Sequence, residues 1–507
     1  MRVSLAAIGA VALIIGGCAA PVIPPTATPA SLPPSAAPTA SPSSQPTPTQ
    51  QPTPTQQPTP TQQPTAAAGP SATASSPPVD GLRIVESDIA RHLDALATIA
   101  QEHDGIRAAG TAGYDASADY VADQLTDMGY EVQRRPFDFT FFDETAPVTL
   151  TLGDHAWTGS EWLHAMLYSA PGDASGVLQL VGVNGPTACE HDAWNAFQAG
   201  SIAVVPPAPC ARYVQVDWAM RFGAVGFIGV YETWGANQIK RPTLFEWTQF
   251  EIPVIAAGQE PATALIAAAL DGERAEFRVR VETSPASDDN VTGELAGSSD
   301  EVVMLGGHLD SVLDGPGIND NGSGVATLLA IGAALAGQPE PRMTVQFSFW
   351  GAEEFGDVGS TAYVDQLLAS GDLDRIASYI NLDMVGSPNA ARFVADDPNA
   401  AAGSSDITRL LLEALDAQGS PGLAMDMTGG SDDFTFEQWG IATGGVFSGL
   451  APLTDEEAQL FGGHAGLPAD ACYHLACDGR DNVNTQAALT LGQAIATLLE
   501  DLAFSVR

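Results

Sequence analysis

Apolar residues recur at three and four spacing over residues 88–100 (DIARHLDALATIA) and 116–128 (ASADYVADQLTDM), which predicts two amphipathic helices near the start of the folded region. A strand is expected next, over 131–142. From about residue 289 the pattern alternates. Short apolar runs at 302–305, 344–350 and 378–382 read as strands, and helical stretches are expected at 323–335, 360–369 and 406–417. Such alternation predicts an α/β domain, a mostly parallel mixed sheet with helices on both faces, with ligands gathered at the carboxyl ends of the strands.

The segment between, 146–287, has its own signature. Apolar runs bounded by Gly and Pro at 177–183, 201–205, 224–231 and 252–256 predict short strands, with a helix at 213–222. The catalytic part is therefore expected as two pieces, 81–145 and 288–507, interrupted by a strand-rich insert at 146–287.

Ahead of these lie two segments that should not fold. Residues 1–17 carry one arginine and the apolar run 3–15, too short to span a bilayer, so they read as a signal peptide. The ending Gly16-Gly17-Cys18 resembles a bacterial lipobox, which would leave Cys18 lipidated on the cell surface; plain secretion is the alternative. Residues 18–80 are almost wholly Pro, Thr, Ser, Ala and Gln, and PTPTQQ recurs three times between Pro46 and Gln63. With almost nothing apolar to bury, this segment is expected as an extended stalk.

Composition narrows the partners. A net charge of −42, with Lys240 the single lysine, excludes nucleic acid and anionic membrane, which both need a basic surface. Any membrane attachment would run through Cys18 alone. The other cysteines form two sequence-local pairs, Cys189 with Cys210 and Cys472 with Cys477. Outside the cytoplasm these read as disulfides rather than as a zinc-thiolate site, since the pairs lie in different segments.

The candidate chemistry sits in GGHLDS, GINDNGSG, WGAEEFG and NLDMVG between Gly306 and Gly386, with CYHLACD near the C-terminus. One histidine after a strand is usually structural. His308, Asp320, Glu354, Asp383 and His474 together are different, because carboxylates converging in one cleft repel each other unless cations neutralise them. Imidazole and carboxylate ligands without thiolate suit Zn, Co or Mn, and one carboxylate can bridge two ions. The spacing does not say which one bridges. Adjacent Glu353 and Glu354 cannot both reach the ions equally, so one is free to act as a base.

These motifs, with TGGSDDFTF and FGGHAG, resemble the family-28 metallopeptidases, most closely the secreted bacterial double-zinc aminopeptidases, whose fold is of the zinc exopeptidase, phosphorylase/hydrolase-like type. The resemblance covers the opening helices and nearly everything from Asp289 on. It implies that His308 and Asp383 bind one Zn²⁺, that Glu354 and His474 bind a second, and that Asp320 bridges them. It further implies Glu353 as the general base acting on a metal-bridging water, Tyr473 as a hydroxyl that helps hold the oxyanion, Asp310 as the carboxylate orienting His308, and a cis peptide after Asp320. Segment 146–287 resembles the protease-associated domain of secreted peptidases. The implied substrates are peptides with free N-termini and apolar first residues, cleaved by a monomer.

Two departures bear on substrate choice. Family members commonly read S-D-H where this chain has Ser431-Asp432-Asp433, and its nearest relatives carry arginine at the position of Gly430. Rival readings are a carboxypeptidase, which would want basic residues scarce here, a glutaminyl cyclase, which needs one zinc, and a receptor of this fold, which would have lost its ligands. A serine hydrolase fails for want of a G-x-S-x-G turn.

Overall fold

The computed structural model describes residues 81–505, apart from 184, 231–242, 246, 247, 249, 399 and 428. The expected signal peptide, Cys18, the stalk and Lys240 lie outside the described residues. Two parallel pairs form the centre of the catalytic half: Ser299–His308 is flanked by Met343–Trp350 and Ile376–Leu382, with parallel Ala442–Phe447 beyond the latter. All eight positions of Met343–Trp350 are buried, as a central strand covered on both faces requires. Helices Glu86–Glu102, Ala112–Asp127, Gly322–Ala336 and Thr485–Phe504 share a core on one face, with Leu93, Leu96, Leu329 and Leu499 fully or almost fully buried. Helix Val358–Ser370 covers the other face, where Tyr363, Val364 and Leu367 meet Met304, Trp350 and Tyr379. This is the α/β sheet with helices on both faces that the alternation predicts.

Two strands are longer than the apolar runs suggest. Glu131–Leu152 continues past Phe142, and Arg274–Leu295 pairs with it antiparallel over most of its length, from Glu131↔Glu294 to Leu152↔Ala275. Strict alternation explains the second strand: Ala275, Phe277, Val279 and Val281 are buried while the residues between them are exposed. Arg274–Leu295 borders Met343–Trp350 through its C-terminal part and Gly172–Leu180 through its N-terminal part. The ribbon therefore runs through positions 146 and 287, with register shifts on either side of Ala146, and carries the sheet into the insert. There Gly172–Leu180, Ile202–Val205, Gly226–Val230 and Val254–Ala257 pair in parallel around a second hydrophobic core. Both expected cysteine pairs are bonded, Cys189–Cys210 and Cys472–Cys477.

Candidate active site

Three neighbouring parallel strands end on one edge and deliver most of the site. His308 closes Ser299–His308 and pairs with Trp350; Glu353 and Glu354 follow Trp350 after a short turn; Asp383 follows Ile376–Leu382 directly. Asp320 comes from the turn before helix Gly322–Ala336. The Asn321 side chain accepts the Gly324 amide at 3.0 Å and donates to the Leu382 carbonyl at 2.8 Å, which clamps that turn beside Asp383. A Cβ at Gly324 would stand 2.3 Å from the Leu382 carbonyl oxygen, so only glycine allows the helix this close. The Asp320–Asn321 peptide is cis, as the resemblance implies.

The five expected ligands converge. His308 Nε2 lies 3.3 Å from Asp320 Oδ1 and 3.5 Å from Asp383 Oδ1. His474 Nε2 lies 3.1 Å from Asp320 Oδ2 and 3.2 Å from Glu354 Oε2. Asp320 thus offers one oxygen to each of two histidine-centred groups. Glu354 Oε1 and Asp383 Oδ1 are buried without a hydrogen-bond partner, an arrangement that fits cations as the missing partners. The electrostatics agree. Burial alone would depress both histidines, yet Glu353 and Asp383 drive His308 well above its ordinary pKa, and Glu354 and Asp320 bring His474 to about 10. Burial, reinforced by Asp357, Glu354 and Asp383 against the pull of His308, pushes Glu353 well above the usual carboxylate range. A cluster that draws protons onto its imidazoles is one that demands positive charge.

Asp310 meets His308 in a mixed way. Its main-chain carbonyl lies 3.1 Å from His308 Nδ1, while its carboxylate stands 3.7 Å off and accepts the amides of Glu353 at 3.2 Å and Glu354 at 3.3 Å. Tyr473 stacks on His474 with ring centroids 3.8 Å apart.

Two residues that sequence reasoning missed complete the support. Arg107 is fully buried and donates to the carbonyls of Pro316 at 3.0 Å and Gly317 at 2.6 Å, and also to that of Leu309. Burial lowers its pKa to about 10, with Asp310, Asp478 and Asp320 opposing, so it remains a cation beneath the carboxylates. Asp478 accepts the amides of Asn319 and Asp320. The conspicuous sequence mark of Asp478 was its place at the end of CYHLACD; for Arg107 there was none beyond an arginine in an acidic chain.

The five converging side chains open into a cavity of about 220 Å³. Met384, Met425, Met427, Val446, Phe447 and Leu450 give it apolar walls, and both departures from the family pattern, Gly430 and Asp433, line it as well.

Residues 290–499 match the sequence profile described as Peptidase family M28. An aminopeptidase of Pseudomonas aeruginosa is 36% identical over 443 residues, spanning 83% of this chain and 81% of that protein. A probable lipoprotein aminopeptidase of Mycobacterium tuberculosis, LpqL, is 34% identical over 454 residues, spanning 84% and 88%. Among solved structures, an aminopeptidase from Aneurinibacillus sp. strain AM-1 superposes with a TM-score of 0.66 at 22% identity, covering 84% of this chain and 95% of that one. A zinc aminopeptidase from Bacillus subtilis gives 0.63 at 22% identity, covering 84% and 96%. At that identity the structural likeness speaks for the fold.

Proposed function

The chain belongs to peptidase family M28, and from that premise we propose that it is an extracytoplasmic zinc-dependent aminopeptidase releasing N-terminal residues from peptides. The observation that carries the reading is Asp320, whose two oxygens face His308 and His474 separately. His308 and Asp383 would hold one Zn²⁺, His474 and Glu354 a second, with Asp320 between them. Co²⁺ or Mn²⁺ suits the same donors. When bound, the ions supply Lewis acidity and lower the pKa of water in the site.

The chain's own groups do the rest. Glu353, whose carboxylate lies within 4.8 Å of donor atoms of His308 and Asp383, takes the proton of the attacking water and hands it to the leaving amine. The Tyr473 hydroxyl donates to the oxyanion that develops on the scissile carbonyl, and the stack on His474 fixes its ring. Asp310 holds the two glutamates in register through their amides. The cavity that the ligands line receives the first side chain of a substrate.

Residues 146–287 are proposed as a protease-associated domain. A lipid at Cys18 with a stalk at 18–80 would hold the enzyme, as a monomer, outside the cell; the lipoprotein name of the mycobacterial relative supports this. Metal analysis together with a panel of aminoacyl p-nitroanilides and their N-acetylated forms tests the reading. Cleavage of the free but not the acetylated substrates, abolished by chelation and restored by zinc, is expected. Equal cleavage of acetylated substrates would refute it.

A further inference from the structure

The walls of the substrate cavity are apolar, but its far side is not. Asp433 and Met427 line both the 220 Å³ cavity and a second space of about 10 Å³, which the exposed Asp396 also lines, so they stand between the two. Beyond them stand Asp396, Asp397 and Glu437. Among the described residues no lysine or arginine lines either space. The small space has room for about one water molecule, too little for a side chain or a hydrated ion.

A carboxylate as buried as that of Asp433 is costly unless a cation or hydrogen bonds offset it. Burial, then Asp357 and Asp383, brings Asp433 to about 7, and burial with Asp397 brings Glu437 to about 8. Gly430 lines the same cavity and places no side chain in it. Three methionines line the cavity too, and flexible thioethers accommodate an unbranched chain well.

We propose that this recess accepts the side chain of an N-terminal lysine or arginine, with its methylenes against Met384, Met425 and Met427 and its cationic head at Asp433. The proposal rests on the aminopeptidase reading and extends the apolar preference implied by the family resemblance. Long basic side chains bury their stems on apolar surface and keep the charge for a polar partner, and the cavity offers both environments.

The test compares kcat/KM of the zinc-loaded enzyme for lysyl, arginyl, leucyl and norleucyl p-nitroanilides. Norleucine has the lysine stem without the charge. Lysyl turnover at or above norleucyl is expected, whereas a wholly apolar recess would reject the lysyl substrate by about a hundredfold. Asp433→Asn should lower the lysyl-to-norleucyl ratio about tenfold or more, and Asp433→Glu should restore part of it. A wild-type lysyl rate below the norleucyl rate overturns the proposal, and so does an unchanged ratio in Asp433→Asn, which would mean that Asp433 only caps its helix or holds the α-ammonium. The wild-type comparison decides if the variant fails to fold. Failure to cleave any of the four substrates would strike the aminopeptidase reading itself.

Discussion

The carboxylate of Asp478 accepts the main-chain amide of Asp320 at 3.0 Å. Its other oxygen takes the Asn319 amide at 2.9 Å and the Asn482 side-chain amide at 2.9 Å. Asp478 stands on the loop that delivers His474, directly after the Cys472–Cys477 bridge. The shared carboxylate and the histidine that faces it are therefore located by one piece of chain, and an error in that loop would displace both.

Asp478→Ala should consequently weaken metal binding without touching a ligand. Outer partners of ligand groups typically contribute about 10- to 100-fold to affinity. Chelator competition should show a loss of that size, with activity restored at high zinc. Wild-type zinc affinity in Asp478→Ala would show that the loop holds its place without this carboxylate.

Glu353→Gln should keep its metals and lose turnover. The amide retains the shape and the main-chain bond to Asp310, yet it can neither accept nor deliver a proton. A drop of about 10² to 10⁴ in kcat is expected, at unchanged zinc content. Near-normal turnover in the metal-replete variant would remove Glu353 from the mechanism.

Asp288 offers a pH test away from the ligands. Its carboxylate accepts the Gly110 amide at 2.7 Å, and burial raises its pKa from 3.8 to about 7 against that bond, with Asp310, Asp115 and Asp289 adding to the rise. The unfolded chain ionises this group near 3.8 while the folded chain keeps it protonated, so its contribution to stability is intact below about pH 4 and is lost as pH rises to 7. Asp288→Asn keeps an acceptor for Gly110 and never ionises. Its Tm should gain on the wild type from pH 4 to 7 and hold that gain above. Parallel Tm curves across that range would show that Asp288 is not buried at the cost described.

The ligand-bearing positions were legible because chemistry and periodicity coincide there. His308 and Asp383 sit where an apolar run stops, and helix Gly322–Ala336 is announced by NDNGSG, whose asparagine caps it. Arg107 and Asp478 were not legible, since each acts on the main chain of a segment far away in sequence: Arg107 reaches Leu309, 202 positions on, and Asp478 reaches Asp320 across 158. No local pattern encodes such a contact. The ribbon was missed for another reason. Between residues 274 and 281 every second residue is charged, so no apolar run stands out although the alternation is regular.

That ribbon bears on catalysis through Phe355, the residue after Glu354. Phe355 is 3% exposed and packs on the ribbon residues Phe139 and Phe141, with ring centroids 5.4 and 5.7 Å away, inside the core of the insert rather than that of the catalytic half. Thr243 and Phe245 of the insert close over Gly356, where an added Cβ would meet the Phe245 ring at 2.9 Å. The loop with Glu353 and Glu354 is thus held on one side by Asp310 and on the other by the insert. Phe355→Ala would empty a buried ring site, at a cost of roughly 3–5 kcal/mol in stability. If the insert only packs alongside, the loss should appear in Tm and leave the kinetics of the folded fraction unchanged. If it positions the glutamates, kcat per zinc-loaded folded molecule should fall at least tenfold while KM for a dipeptide changes little, because Phe355 itself does not line the cavity. Phe355→Leu, which refills most of the space, should recover much of the rate. Unaltered kcat in a folded, metal-replete Phe355→Ala enzyme would assign the contact to stability alone.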